Sequence, residues 1–232
     1  MVTVVSPYLA AVGATWDDGP AAGEWIAGRL GPFGPSVGHA VPHGYPVYAI
    51  VEIPGNAEVD VPEPDVTFDA LLDVLEPFTG DQAVHSGIWP GFAWMYATGD
   101  DPRTAPGMGV GVFWSPDAQR PPQEEIDRQL AAAREQMASA RVECPDAEPL
   151  RLPHREYYLW SGPLRSAMAF RHQSNSPPSL IWPDDRSWFV GTPIYSNEIA
   201  VAGSREVIDE ILCDRRLSAR RAKPDDDLDI DD

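Results

Sequence analysis

Apolar residues recur at helical spacing in several stretches of the chain. After Thr67, which can cap a helix, Phe68, Leu71, Leu72 and Leu75 fall at i, i+3, i+4 and i+7, one apolar face that predicts a helix ending near Pro77. Over Pro122–Val142, Ile126, Leu130, Ala133, Met137 and Ala140 form a narrower stripe, with Glu124 placed four residues before Arg128. Ser204 can cap a last helix that turns Val207, Ile208, Ile211 and Leu212 inward. Two shorter helices are expected: Ala21–Leu30, stopped by Gly31-Pro32, and one opened by Gly162-Pro163 that carries Leu164 and Met168.

Elsewhere the pattern changes to short runs rich in β-branched and aromatic residues. Tyr45–Ile53, Glu156–Trp160, Ser179–Trp182, Ser187–Thr192 and Ile194–Ala202 read as strands. Val84–Ala97 reads as one or two strands broken at Pro90-Gly91, and Gly107–Trp114 as another, weakened by its glycines. Residues 1–20 are expected to be irregular at their start, with a turn at Asp17-Asp18-Gly19-Pro20; 54–66 read as an acidic, proline-rich loop and 143–156 as a connector. The alternation of signals is too irregular for a doubly wound parallel sheet. It predicts an α+β body at 1–213, a mixed or antiparallel sheet with packed helices. From Asp214 no apolar period survives, and residues 214–232 read as a disordered charged tail.

Charge alters the picture most. The chain carries a formal charge of −19. The C-terminal segment does not explain it, because residues 214–232 hold 7 acids and 5 bases, leaving 29 acids against 12 bases in residues 1–213. The body itself is acidic. Such a field repels phosphate backbones and argues against nonspecific nucleic-acid binding, while it attracts a basic protein or a cation and favours solubility. Arginine outnumbers lysine 16 to 1, which a biased coding composition explains more simply than selection for bidentate pairing. The start, Met1-Val-Thr-Val-Val-Ser-Pro7, lacks the basic region of a signal peptide, and no apolar run approaches membrane-spanning length. The expected location is the cytoplasm, with no membrane association.

Motifs of catalysis or cofactor binding do not assemble in the sequence. The glycines of Gly107-Met-Gly-Val-Gly-Val112 alternate and no helix follows them, so they make no dinucleotide fingerprint. There is no phosphate loop, no Gly-x-Ser-x-Gly elbow and no zinc spacing; Cys144 and Cys213 stand alone, and the five histidines are scattered. No cofactor or metal is expected. The densest chemistry is Leu180-Ile-Trp-Pro-Asp-Asp-Arg-Ser-Trp-Phe-Val-Gly-Thr192, where a Pro-Asp-Asp-Arg turn joins two Trp-bearing strands. Trp182, Asp184, Asp185, Arg186 and Trp188, with Tyr195 and Glu198 downstream, form the candidate partner- or ligand-binding set. Against that reading, aspartates form turns, an arginine pairs with them and tryptophans fill cores. Asp184 and Glu198 could converge as paired carboxylates, but 36 acids offer many such pairs.

Several segments together resemble an actinobacterial family of uncharacterised acidic proteins. They are Trp25-Ile-Ala-Gly-Arg-Leu-Gly-Pro-Phe-Gly34, Val37-Gly-His-Ala-Val-Pro-His-Gly-Tyr-Pro-Val-Tyr-Ala-Ile50, Leu152-Pro-His-Arg-Glu-Tyr-Tyr-Leu-Trp-Ser-Gly-Pro-Leu164, Ser179–Thr192 and Val201-Ala-Gly-Ser204. The resemblance runs in order from Trp25 to Leu212 and brings no established activity; by analogy it implies an immunity or partner-binding factor. The chain departs from the pattern at Ile50, where the family has arginine, at Ile53-Pro54, where it has His-Pro, and at Pro193-Ile-Tyr195, where it has Glu-Ile-Asp. Two functions follow as expectations. One is a non-catalytic acidic binding protein, such as an immunity-type inhibitor of a basic protein. The other is a small-molecule-binding protein or enzyme that uses the Trp182–Thr192 region.

Overall fold

A computed structural model describes residues 6–53, 66–92, 95, 120–139, 142, 144–153, 155–171, 177–194 and 196–229. The chain divides into two compact units, one of Met1–Trp89 with Pro145–Asp232, the other of Pro90–Cys144. The boundary between them falls at the Pro90-Gly91 break noted in the sequence. In the second unit the helix expected over Pro122–Val142 runs over Gln123–Ser139 and buries Ile126. Arg128 there pairs with Glu125, one turn before it, and not with Glu124. The strand expected over Gly107–Trp114 lies outside the described residues.

The first unit is built on one antiparallel sheet. Its strands are β1 (Thr15–Trp16), β2 (Val47–Glu52), β3 (Val84–Ile88), β4 (Leu150–Leu152), β5 (Arg155–Gly162), β6 (Leu180–Pro183), β7 (Trp188–Gly191), β8 (Glu198–Gly203) and β9 (Ser218–Ala222). Their order is β1-β5-β3-β6-β7-β8-β2-β9, with β4 added to β5. Helices are α1 (Pro7–Ala11), α2 (Val37–Ala40), α3 (Val66–Thr79), α4 (Gln123–Ser139, in the second unit) and α5 (Arg205–Cys213). The α+β class holds, weighted toward sheet.

Strand alternation divides the apolar residues between two faces, because successive side chains point oppositely. One face presents Ala49, Val51, Val84, Ile181, Trp188, Val190, Ile199 and Val201, which pack with Phe68, Leu71, Leu72 and Leu75 of α3 and Val207, Ile208 and Ile211 of α5. Both helices follow from the 3.6-residue period, and the Ser204 hydroxyl caps α5 by accepting the Val207 N–H at 3.3 Å. The opposite face presents Tyr48, Ile50, Tyr157, Leu159, Leu180, Trp182 and Phe189. Among the described residues of this unit its partners are Ile26, Val37, Val41 and Leu228, on irregular segments, a 3-10 turn and the single turn of α2.

Three expectations are corrected. Residues from Asp214 are not a disordered tail as far as Asp229: β9 pairs with β2 through Tyr48↔Ala222 to Glu52↔Ser218, and Leu228 is buried. An edge strand needs only one neighbour and tolerates charge on its outer side, so Ser-Ala-Arg-Arg-Ala carries no apolar period. The helices expected at Ala21–Leu30 and after Pro163 shrink to 3-10 turns at Glu24–Ile26 and Leu164–Met168. Finally, α3 begins at Val66, with Thr67 already inside it, and passes Pro77 to end at Thr79.

Candidate functional site

The residues singled out by sequence do not form one open patch. Trp182 and Trp188 are both buried and lie on opposite faces of the sheet, Trp182 among the loop-covered set and Trp188 beneath the helices. Asp184 and Glu198 sit at opposite ends of the strands. The β6–β7 turn holds Asp184, whereas β8 reaches Glu198 beyond the other end of the ladder that pairs Trp188↔Gly203 with Gly191↔Ala200. Glu198 is 5% exposed and serves as a clamp: it accepts from Arg220 Nη2 and from the Asp229 N–H, each at 2.7 Å. Tyr195 lies outside the described residues.

Asp184, Asp185 and Arg186 occupy the β6–β7 turn, which neighbouring chain fixes. The Asp184 N–H donates to the Ala83 carbonyl at 3.0 Å, the Asp185 N–H to Gln82 Oε1 at 2.9 Å, and the Asp185 carboxylate accepts the Ser187 N–H at 2.9 Å. Burial opposes ionisation of the Asp185 carboxyl, and hydrogen bonds from Ser187 above all, then Gln82, outweigh it and hold the carboxyl below its usual range. Arg186 has φ 57°, the left-handed region. Its guanidinium lies over the Trp25 ring, 4.8 Å from the centroid. Trp25 in turn stands edge-on to Trp182 and Phe189, which stack on each other 5.7 Å apart.

A polar cluster that sequence reasoning missed begins beside this wall. His85 of β3 is directly opposite Ser161 on β5 and Trp182 on β6, so all three share a face. Its ring stacks on Trp182 at 5.4 Å. Nδ1 is 2.8 Å from Ser161 Oγ and Nε2 is 2.7 Å from Asp184 Oδ1. Ser161 donates onward to Asp17 Oδ1 at 2.5 Å, and Asp17 Oδ2 lies 3.8 Å from Nδ1. Asp17 above all raises the His85 pKa above its ordinary value; Asp184 adds to this, and burial opposes it. The imidazole is therefore suited to donate from both nitrogens. When the ring is charged, Ser161 donates to Asp17 while its lone pair receives the imidazole N–H, an arrangement that does not activate the serine as a neutral histidine would. Alternation in Val84-His85-Ser86 placed His85 opposite Val84; nothing in the sequence revealed Asp17 as its partner.

Farther along the same face is a cavity of about 210 Å³. Leu30, Phe33, Leu152, Tyr157, Leu180 and Thr192 are among its walls. Burial pushes the Tyr157 phenol up to about 12, so it remains a neutral hydroxyl. Ser179, also on the wall, has a buried hydroxyl with no hydrogen-bond partner among the described residues. His39 reaches this cavity and packs edge-on against Phe33. Among the described residues no group of three or more His, Cys, Asp or Glu side chains could hold a metal ion, and no helix is long and apolar enough to cross a membrane. No family model, curated protein or solved structure matches the chain.

Proposed function

We propose that this is a non-catalytic acidic binding protein, cytoplasmic in location, whose carboxylate surplus captures a basic protein partner. One observation carries the reading: internal pairing occupies cations, and the excess of acids remains for solvent. Arg151, Arg165, Arg171, Arg216, Arg220 and Arg221 each meet a carboxylate of the same unit. Asp73, for example, is held below its usual range by Arg165 and Arg216. Against 17 bases the chain has 36 acids, and Asp18, Asp81, Glu210 and Asp225–Asp227 are exposed with no ion pair among the described residues. A surface of that sign steers a cationic protein and accelerates its capture by about tenfold or more at low salt.

The test is capture from the native host at two ionic strengths, followed by association kinetics with the enriched protein. The expected partner is strongly basic, and its association rate falls at least about tenfold between low and high salt. Enrichment of no basic protein, or an association rate indifferent to salt, would overturn the proposal.

The cavity favours a second reading, a protein that binds a small apolar molecule. A thermal-shift screen of such molecules against wild type and Leu152→Trp, which fills the cavity, separates the two. Equal shifts in both proteins would discard the cavity.

A further inference from the structure

The geometry points to a binding site for a small oxyanion, a carboxylate or phosphate group, formed by Arg29, Arg186, Trp25 and Tyr45 on the loop-covered face. Four hydrogen-bond donors lie around the Trp25 ring, and none of them has a hydrogen-bond acceptor among the described residues. The Arg29 guanidinium lies 5.7 Å and that of Arg186 4.8 Å from the same Trp25 ring centroid. Neither arginine has a carboxylate partner among the described residues, although six others in this unit do. The Trp25 indole N–H and the Tyr45 hydroxyl are both buried and make no hydrogen bond. An indole nitrogen and a guanidinium only donate, so their complement is a group that only accepts. Buried polar groups are nearly always satisfied, and two orphans beside two uncompensated cations mark an anion as the missing partner.

Neighbouring chain positions the site. Arg29 lies three residues beyond the 3-10 turn at residues 24–26, its N–H donating to the Ile26 carbonyl at 2.9 Å, and its own carbonyl accepts the His43 N–H at 2.7 Å, drawing it to the turn that bears Tyr45. Tyr48 fixes that turn, its hydroxyl accepting from the Gly44 and Tyr45 N–H groups at 3.1 and 3.2 Å and donating to the Pro42 carbonyl at 3.3 Å. Gly44, at φ 103°, permits the bend. Burial raises the Tyr45 phenol far above its ordinary value, even against Arg29 and Arg186, and it stays a neutral donor. Arg186 is the one non-glycine residue with positive φ among the described residues. Glycine or asparagine would suit that turn position better; an arginine held there, over Trp25, is the kind of backbone outlier found at binding sites. The nearby carboxylates are otherwise engaged, Asp184 with His85 and Asp185 with its own turn.

Calorimetric titration of the full chain with inorganic phosphate and, separately, with acetate, at constant ionic strength, tests the site. Saturable binding of at least one anion is expected, and which one binds assigns the headgroup. Arg29→Gln and Arg186→Gly should each weaken it at least tenfold, while Arg205→Gln, an exposed arginine on α5, should leave it unchanged. Glycine at position 186 accepts the left-handed backbone, so that variant removes the guanidinium and keeps the turn. Absence of saturable binding by both anions would overturn the site. Wild-type affinity in both Arg29→Gln and Arg186→Gly would overturn it as well.

Discussion

The two faces of the sheet are made from the same strands and have opposite characters. Beneath α3 and α5 the contents are mostly aliphatic, with Phe68, Phe78 and Trp188 as the aromatic members, and regular helices supply a continuous apolar stripe; toward β5 and β1 the same face carries Tyr158, Trp160 and Trp16. Across the strands, short turns and irregular chain cover Trp182, Phe189 and Tyr157, and that side holds the cavity, the His85 network, and the Arg29 and Arg186 pair over Trp25. A helix satisfies its own backbone and can lie flush on a sheet. Irregular chain leaves gaps and brings polar side chains with it. The helix-covered face thus provides stability and the loop-covered face provides chemistry.

That division is tested most severely by truncating the helix-covered side. Leu71 is fully buried between α3 and the sheet, and Leu71→Ala should cost about 3 kcal/mol in urea denaturation, from lost transfer energy and the remaining cavity. A loss below about 1 kcal/mol would show that this face is not where folding energy concentrates. The loop-covered side should respond more to added atoms. A methyl at Gly191 of β7 would collide with the backbone carbonyl of Ala40, so Gly191→Ala should destabilise by about 2 kcal/mol through displacement of the 37–41 segment. Full tolerance would mean that this covering chain is not held against the sheet.

How much was legible in the sequence follows the same division. Phe68, Leu71, Leu72 and Leu75 announced α3 because a helix packing on one side leaves a 3.6-residue period, and Val207, Ile208 and Ile211 did so for α5. Strands β2, β5, β6, β7 and β8 were visible as β-branched and aromatic runs, since both their faces are buried. Two-residue β1 and the charged edge strand β9 were not visible; neither has length or apolarity enough to leave a pattern. The candidate set is scattered. Arg186 stands over Trp25 at the end of the aromatic wall, whereas Trp182 and Trp188 are separated by the parity of their strands, and Glu198 is a clamp. Partners such as Asp17 for His85, or Arg29 and Tyr45 for Arg186, are distant in sequence and belong to irregular segments, where spacing predicts nothing.

A smaller effect should appear with pH. His85 joins β3 to Ser161 of β5 and to the β6–β7 turn, and its folded pKa is raised, chiefly by Asp17. A group with a raised folded pKa stabilises fully below its unfolded value, about 6.5 for histidine, and loses that contribution as pH rises through the folded value. Wild type should therefore exceed His85→Gln in thermal midpoint at pH 6, and the gap should narrow as pH climbs above neutrality. A gap that widens with pH would mean that the ring is held neutral and that the network on this face does not depend on its charge.

The finest distinction concerns position 186, where the two faces' logics meet in one residue. A left-handed backbone costs a non-glycine residue about 1–2 kcal/mol, while glycine gives back about 0.5–1 kcal/mol through its freer unfolded chain. The guanidinium over Trp25 contributes about 0.5–1 kcal/mol more to the wild type. These effects nearly cancel for Arg186→Gly, which should fall within about 0.5 kcal/mol of wild type. Arg186→Ala keeps the strain and loses the stacking, so it should be the less stable of the two variants by about 0.5–1 kcal/mol in paired urea titrations. If alanine proves as stable as glycine, the turn is not strained at φ 57° and the backbone offers no argument for a selected arginine. If glycine is the more stable variant, the backbone is strained at φ 57° and the guanidinium over Trp25 is what offsets that strain in the wild type.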